Sequence, residues 1–200
     1  MPIQIHKNEG INLSKDHGLT KVTLEVTYDL DPSHPVKKHE MDVGIMAFEL
    51  SHASGKAMCP QDECFVFYNN KTSATGAVCH EEDGGSKGDD RIDIDLEALS
   101  RNTLGIDEVS CIAEIYEGLV RGHHFGQFTH CTAHIINPDT QEVIAEFRLS
   151  DEDSDATAVQ MGSFVKDANG HWHFKAVGVG YKKGLSDFLK VYGLQAADEE

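Results

Sequence analysis

The sequence lacks long apolar runs and is poor in basic residues. No stretch approaches the roughly 18 consecutive apolar residues of a membrane-spanning helix, and the N-terminal residues lack the basic-then-apolar plan of a signal peptide. Seventeen basic residues against 34 acidic ones give a formal charge of -17 at pH 7, which repels nucleic acid and anionic lipid surfaces. We therefore expect a cytoplasmic protein without nucleic-acid binding or membrane insertion, whose field attracts cations or basic partners.

Cysteine is also scarce. The five cysteines are odd in number and irregular in spacing, at Cys59, Cys64, Cys79, Cys111 and Cys131. A chain of this length does not need disulfides to fold. Four residues separate Cys59 from Cys64, a gap that suits a metal or a disulfide, but no second pair accompanies it. Structural thiols are the favoured interpretation.

Sequence motifs of common enzymes are missing as well. The chain has no P-loop, no dinucleotide-binding glycine pattern before a helix, no nucleophile elbow and no HExxH segment. We therefore expect no enzymatic activity.

Short strands dominate what is present. Between Lys21 and Tyr28, apolar and polar residues alternate with the period of a strand, and the same pattern recurs in 109–115 and 143–149. The segments 137–140 and 167–170 are turn formers between such runs and predict hairpins. Strands joined by turns, without intervening helical patterns, favour an antiparallel β-sandwich in a mainly β fold with a few short helices.

One clear helix is predicted near the C-terminus. Leu185, Phe188, Leu189 and Tyr192 recur at helical spacing, and Gly193 provides a stop. We expect one domain over residues 1–193 and an acidic tail over 194–200.

An acidic, glycine-rich loop is the most informative segment. Residues 79–91, CHEEDGGSKGDDR, contain five carboxylates and three glycines between two strand-like runs. Crowded carboxylates repel one another unless a divalent cation binds them, and hard oxygen ligands favour Ca²⁺ over magnesium or zinc. A solvated acidic turn is the alternative, because the spacing does not match an EF-hand.

Other candidate ligands come from two predicted strands. The strand that begins at Phe65 runs into Asn69 and Asn70, whose oxygens are neutral ligands. Asp42 lies in the apolar run 41–48 and needs a partner or a metal unless it marks the exposed start of the strand.

Several further segments match one known family in order and spacing. They are Phe67–Asn70, His80 with Asp83, Gly88–Asp90, Phe125–Gln127, Thr157–Ala158, Gly170–Tyr181, Gly184–Leu185 and Tyr192–Gly193. With them the sequence resembles the TerD family of calcium-binding, tellurium-resistance stress proteins, whose GEWKFRAVGQGY signature is close to Gly170–Tyr181. The resemblance extends from about Ile11 to Gly193.

The resemblance implies a compact β-sandwich, calcium as the bound ion, a non-enzymatic role in bacterial stress and tellurite resistance, and partners among other tellurium-resistance proteins in a membrane-associated complex. The implied metal-binding residues are Asp42, Asn69, Asn70, Asp83, Asp89 and Asp90. This chain departs from the family at Gly44, where a second aspartate is usual, and at Arg91, where an acid is common. Its acidic loop is also shorter, so we expect one site of modest affinity.

Two other functions stay open. The departures at Gly44 and Arg91 are compatible with a TerD-like scaffold that has lost metal binding and acts by protein contacts. The twelve histidines permit a metalloenzyme: on a strand, His130 can share a face with His134, and His171 with His173. The sequence indicates no third ligand for either pair, so ordinary surface or hydrogen-bonded histidines are favoured. Trp172 is expected in the core.

Overall fold

The computed structural model describes residues 1–33, 41–82, 90–149 and 155–195. Two sheets of six strands each form most of the molecule. The strands are β1 Ile3–Ile5, β2 Gly10–Asn12, β3 Lys21–Leu30, β4 Val43–Leu50, β5 Phe65–Val66, β6 Val78–Glu82, β7 Asp90–Asp95, β8 Glu108–Ile115, β9 Phe128–Asn137, β10 Glu142–Arg148, β11 Ala158–Lys166 and β12 Trp172–Tyr181. The helices are α1 Leu13–Asp16, α2 Leu96–Ser100, α3 Gly118–Arg121 and α4 Leu185–Val191.

The strand order is β1-β10-β9-β3-β7-β6 in the first sheet and β2-β12-β11-β8-β4-β5 in the second. Among the strands of the described ranges, neighbours are antiparallel except β1 and β10, which pair in parallel. A continuous apolar cluster between the sheets contains side chains of both. The predicted antiparallel sandwich is therefore confirmed, with one parallel edge pair that the sequence did not indicate.

The predicted alternation of β3 is confirmed by burial. Val22, Leu24 and Val26 are buried in the core between the sheets, whereas Lys21 and Thr27 on the other face are exposed. The two predicted hairpins are also confirmed, since β9 pairs with β10 and β11 with β12 across their turns. Each turn therefore fixes the register of its two strands.

A second apolar cluster covers the outer face of the second sheet. Along β4, Val43 and Ile45 face the first sheet, whereas Met46 and Phe48 pack in the second cluster with Phe188 of α4. Both faces of β4 are buried, which explains its continuous apolar sequence from Val43 to Phe48. The predicted C-terminal helix is confirmed.

The helix is followed by a glycine stop. Gly193 has φ +80°, a left-handed conformation that suits glycine after a helix. Leu194 then packs in the second cluster. Residues 196–200 of the expected tail lie outside the described residues.

The register defines two ends of the second sheet. Gly44, Glu114 and Ala158 lie side by side at one end, which we call the Asp90 end because Asp90 approaches Gly44 there. Leu50 and Glu108 lie at the other end, beside the turn between β11 and β12, and we call it the hairpin end.

Within the described ranges, no helix combines the length and the apolar character needed to cross a membrane.

Candidate functional site

The structure describes four of the six predicted metal ligands. Asp83 and Asp89, with most of the acidic loop, lie outside the described residues. Asp42 and Asp90 are partly buried, Asn70 is partly buried, and Asn69 is exposed. The described part of the site lies where β4 and β7 begin.

Asp90 is the first residue of β7 and lies on the same strand face as the buried Ile92. Its Oδ2 atom is 3.4 Å from Nε2 of His80, and the His80 side chain is only 1% exposed. The other ring nitrogen of His80, Nδ1, is buried and has no hydrogen-bond partner among the described residues. A Cβ atom added to Gly44 would lie 3.5 Å from the same Asp90 oxygen. The Asp90 carboxylate thus lies between a buried imidazole and the backbone of Gly44.

Asp42 immediately precedes β4 and shares a strand face with Gly44 by the two-residue period. Its backbone carbonyl accepts a 2.8 Å hydrogen bond from the Tyr116 amide, which fixes the main chain there. Across the described ranges, the Asp42 carboxylate has no hydrogen-bond or ion-pair partner. The second strand of the site therefore presents an uncompensated carboxylate at the same end as Asp90.

The two asparagines lie in a tight turn. Phe67 and Asn70 exchange two backbone hydrogen bonds of 3.0 Å around the turn. The Asn70 amide nitrogen donates to the backbone carbonyl of Phe65 at 2.6 Å, so this side chain stabilises the loop and only its oxygen is available to an ion. β5 runs antiparallel to β4, with Phe65 opposite Phe48 and Val66 opposite Ala47. The chain that follows Val66 therefore runs toward the start of β4, where Asp42 lies.

Arg91 lies on the opposite face of β7 from Asp90. It is exposed, its Nε atom is 3.8 Å from Asp93 Oδ2, and its cross-strand neighbours are Glu25 and Glu81. The adjacency of Arg91 to Asp90 in the sequence predicts a positive charge beside the site. The strand instead directs it outward, among acidic residues.

The described donors at this end are chemically suited to calcium. They are carboxylate and amide oxygens, which Ca²⁺ prefers. Ca²⁺ takes about six to eight oxygen ligands, so Asp42, Asp90 and Asn70 would form only part of a shell, and the residues beyond the described ranges would have to complete it. Among the described side chains, no three His, Cys, Asp or Glu residues are arranged to hold a metal ion.

The two histidine pairs differ in their surroundings. His134 lies on β9 with its Nε2 atom 2.8 Å from Thr27 Oγ1 and its Nδ1 atom 3.4 Å from Glu146 Oε1. His171 and His173 instead share one carboxylate, because Asp167 Oδ2 lies 3.6 Å from His171 Nδ1 and 2.9 Å from His173 Nε2. We call these last three residues the Asp167 cluster.

Sequence reasoning missed the part that Asp167 plays. It predicts Asp167 only as a turn former and finds no third ligand near the two histidines. The turn itself is the overlooked signal, because a four-residue reversal brings the carboxylate of its first residue back toward residues four and six positions later.

All five cysteines are free thiols. The predicted burial holds for Cys64, Cys111 and Cys131, whereas Cys59 and Cys79 are only partly buried. Cys64 is fully buried, and burial raises the pKa values of Cys59 and Cys64 to about 12. Thiols with such values are almost entirely protonated at neutral pH and are poor nucleophiles or metal ligands. Trp172, only 1% exposed, is in the core as expected.

Sequence reasoning also missed two carboxyl groups, one partly buried and one fully buried. Glu114 on β8 accepts a 2.8 Å hydrogen bond from the backbone amide of Leu185, at the start of α4. Glu49 on β4 is fully buried and accepts a hydrogen bond from the Thr75 hydroxyl. Burial raises both carboxyl pKa values. An acidic residue within an apolar strand could have indicated both groups. Their hydrogen-bond partners, Thr75 and Leu185, could not be predicted because they are distant in sequence.

Comparison with known proteins identifies relatives along the whole chain. A family model of the TerD domain matches residues 1–192. The chain is 32% identical over 200 residues to general stress protein 16U of Bacillus subtilis (strain 168), covering 98% of this chain and 99% of that protein. It is 31% identical over 202 residues to the tellurium resistance protein TerD of an Alcaligenes species, covering 98% and 100%.

A solved structure supports the same fold. A Streptomyces coelicolor homologue of the telluride resistance protein TerD matches with a TM-score of 0.62 at 16% identity, covering 90% of this chain and 100% of that chain.

Proposed function

The chain belongs to the TerD family of tellurium-resistance and stress proteins, and on that premise we propose that it is a non-enzymatic calcium-binding protein of the bacterial cytoplasm. In this proposal Ca²⁺ binds at the Asp90 end, through Asp42, Asp90 and the acidic loop that contains Asp83 and Asp89. The bound ion orders the loops through which the protein contacts other tellurium-resistance proteins.

The position of the Asp90 carboxylate carries the proposal. Its nearest described polar partner is the His80 imidazole, and no described backbone amide donates to it. A single imidazole leaves most of its lone pairs unsatisfied, whereas carboxylates at structural turns usually accept backbone N–H groups. Asp42 at the start of β4 is likewise without a described partner. Two under-satisfied carboxylates at one end of the sandwich favour a bound cation.

His80 would act as a support for the ligand and not as a ligand. Its ring is buried, so it is held in one orientation and can donate Nε2–H to Asp90. Such an outer hydrogen bond fixes the direction of a ligating carboxylate. Ca²⁺ itself prefers the oxygens of Asp42, Asp90, Asn69 and Asn70 to imidazole nitrogen.

Thermal unfolding with and without calcium tests the proposal. Calcium that binds only the folded state stabilises it by about 2.7 kcal/mol at a hundredfold excess over Kd, so we expect Tm to rise in millimolar Ca²⁺ and to rise less in equal Mg²⁺. The double variant Asp89→Asn with Asp90→Asn should remove the calcium-dependent rise. Calorimetric titration gives the stoichiometry independently.

A matched control removes the same charge elsewhere. Asp16→Asn with Asp139→Asn replaces two exposed aspartates remote from the Asp90 end, and this variant should keep the full calcium response. An unchanged Tm in wild type together with no heat of binding would overturn calcium binding. That outcome would favour the metal-free scaffold, for which the missing carboxylate at Gly44 is the supporting observation.

A further inference from the structure

The Asp167 cluster lies at the hairpin end, remote from the proposed calcium site. The eight-residue β4 connects the two ends, and strands rise by about 3.3 Å per residue, so roughly 23 Å separates them. His171 and His173 replace the glutamate and lysine of the family signature GEWKF. Calcium binding at the other end does not account for these two imidazoles.

The two oxygens of Asp167 have different partners. Oδ1 accepts the backbone N–H groups of Asn169 at 2.8 Å and of His171 at 2.9 Å. These two bonds orient the carboxylate, so that Oδ2 faces both imidazoles. The hydrogen bond with His173, followed by the His171 amide, lowers the pKa of Asp167 to about 2. The group is an anion at neutral pH, held in a fixed direction.

We propose that the Asp167 cluster is a binding site for a first-row transition-metal dication such as Zn²⁺, with Asp167 Oδ2, His171 Nδ1 and His173 Nε2 as its ligands. Zinc bonds these atoms at about 2.0–2.2 Å, which places tetrahedral ligands about 3.3 Å apart. The observed separations of 3.6 Å and 2.9 Å from Oδ2 lie on either side of that value. Imidazole nitrogen with one carboxylate suits zinc, nickel or copper and not calcium.

The site closes around the metal and is not formed in advance. As they stand, no three such side chains in the described ranges are arranged to hold an ion, and Oδ2 is hydrogen-bonded to His173 Nε2 at 2.9 Å, so metal binding requires the two rings to move. Both imidazoles can turn, since 39% and 35% of these side chains are exposed. The buried Trp172 between them keeps both on the same strand face. The amide of Asn12, 3.4 Å from His173 Nε2, is a weak contact that metal binding would displace.

The test is calorimetric titration of ZnCl₂ into tag-free, chelator-treated protein in millimolar Ca²⁺, with imidazole NMR signals followed in parallel. We expect one Zn²⁺ per chain and shifts of the His171 and His173 signals. The variant Asp167→Asn keeps Oδ1 for the two backbone amides and loses only the anionic Oδ2, so it should weaken zinc binding about tenfold or more. His171→Gln with His173→Gln should abolish it.

His130→Gln with His134→Gln is the matched control, because it removes two histidines of a strand from the other sheet and should leave zinc binding intact. The proposal is overturned if no zinc binds, if the shifted signals belong to other histidines, or if Asp167→Asn binds zinc as wild type does. The NMR assignment in wild type decides the matter even if a variant unfolds. Neither result depends on calcium binding, which the titration holds constant.

Discussion

The two ends of the sandwich use the same pair of chemical groups, an aspartate and a histidine, in different surroundings. At the Asp90 end the imidazole of His80 is buried and cannot turn. At the hairpin end His171 and His173 are partly exposed, and Asp167 is already held by two backbone amides. In the two proposals, burial is what separates a histidine that supports a ligand from histidines that can become ligands.

The largest expected effect is at the hairpin end, where one buried ring supports the Asp167 cluster. Trp172 is 1% exposed and its Nε1 atom donates to Ser100 Oγ at 2.9 Å. Trp172→Ala should lower the free energy of unfolding by about 3–5 kcal/mol because it leaves a large cavity. Denaturant unfolding measures this.

If the ends are independent, the calcium response of the Trp172→Ala variant should persist under conditions where it is folded, while zinc binding is lost. Trp172→Phe, which keeps a ring, should be less destabilised. A loss for Trp172→Ala below about 1 kcal/mol would contradict the packing argument.

A smaller effect is expected at the Asp90 end, from Glu114. Glu114→Ala leaves the Leu185 amide without its acceptor and should cost about 1–2 kcal/mol. Glu114→Gln keeps an oxygen for that amide. In thermal melts at pH 7, its Tm should equal or exceed that of wild type.

The pH dependence of unfolding separates charge from hydrogen bonding at Glu114. Burial raises its folded-state pKa above the value of 4.5 expected when unfolded, so folding favours the protonated form. Its contribution to stability is therefore present below pH 4.5 and is lost as pH rises through the folded-state pKa. Glu114→Gln should lack this loss. An identical pH profile for both proteins would assign the effect to other groups.

The smallest effect is expected at Gly44, where the chain lacks the aspartate of its family. In Gly44→Asp the new Cβ lies 3.5 Å from Asp90 Oδ2, and no other described atom lies within 4 Å. Without a cation the two carboxylates repel, which should cost up to about 1 kcal/mol. With calcium present, Gly44→Asp should instead be more stable than wild type, and it should bind calcium more tightly than wild type does.

Gly44→Asn is the control for Gly44→Asp, since it has a similar shape without the charge. Melts of both variants with a chelator and with calcium give the comparison. Equal destabilisation of Gly44→Asp in both media would place calcium away from Asp90.

Local pattern was sufficient for most of the fold. The alternation in β3, the two hairpin turns and the spacing of α4 all depend on residues close in sequence, and these predictions are confirmed. The parallel pairing of β1 with β10 joins residues about 140 positions apart, and nothing in a three-residue strand specifies its partner.

The metal ligands stay a prediction, and the structure adds the arrangement of those it describes. The family resemblance implies Asp42 and Asp90 as ligands, but it does not say toward which face of β7 Arg91 points, because that depends on the alternation of side chains along the strand. The contact of Glu114 with α4 and the bond of His80 with Asp90 require the packed structure, because each joins segments that are separate in sequence or on different strands. The sequence pattern indicates only part of the Asp167 cluster. It pairs His171 with His173, but it predicts Asp167 only as a turn residue.

The second apolar cluster lies under α4 and is separate from the cluster between the two sheets. Detachment of α4 would expose Met46 and Phe48 to solvent while the interior between the sheets stayed closed. Amide hydrogens of the helix should therefore exchange sooner than those of β3 and β9. A protease that cut near Gly184 would free the helix from the second sheet, and the exposed apolar face would favour aggregation.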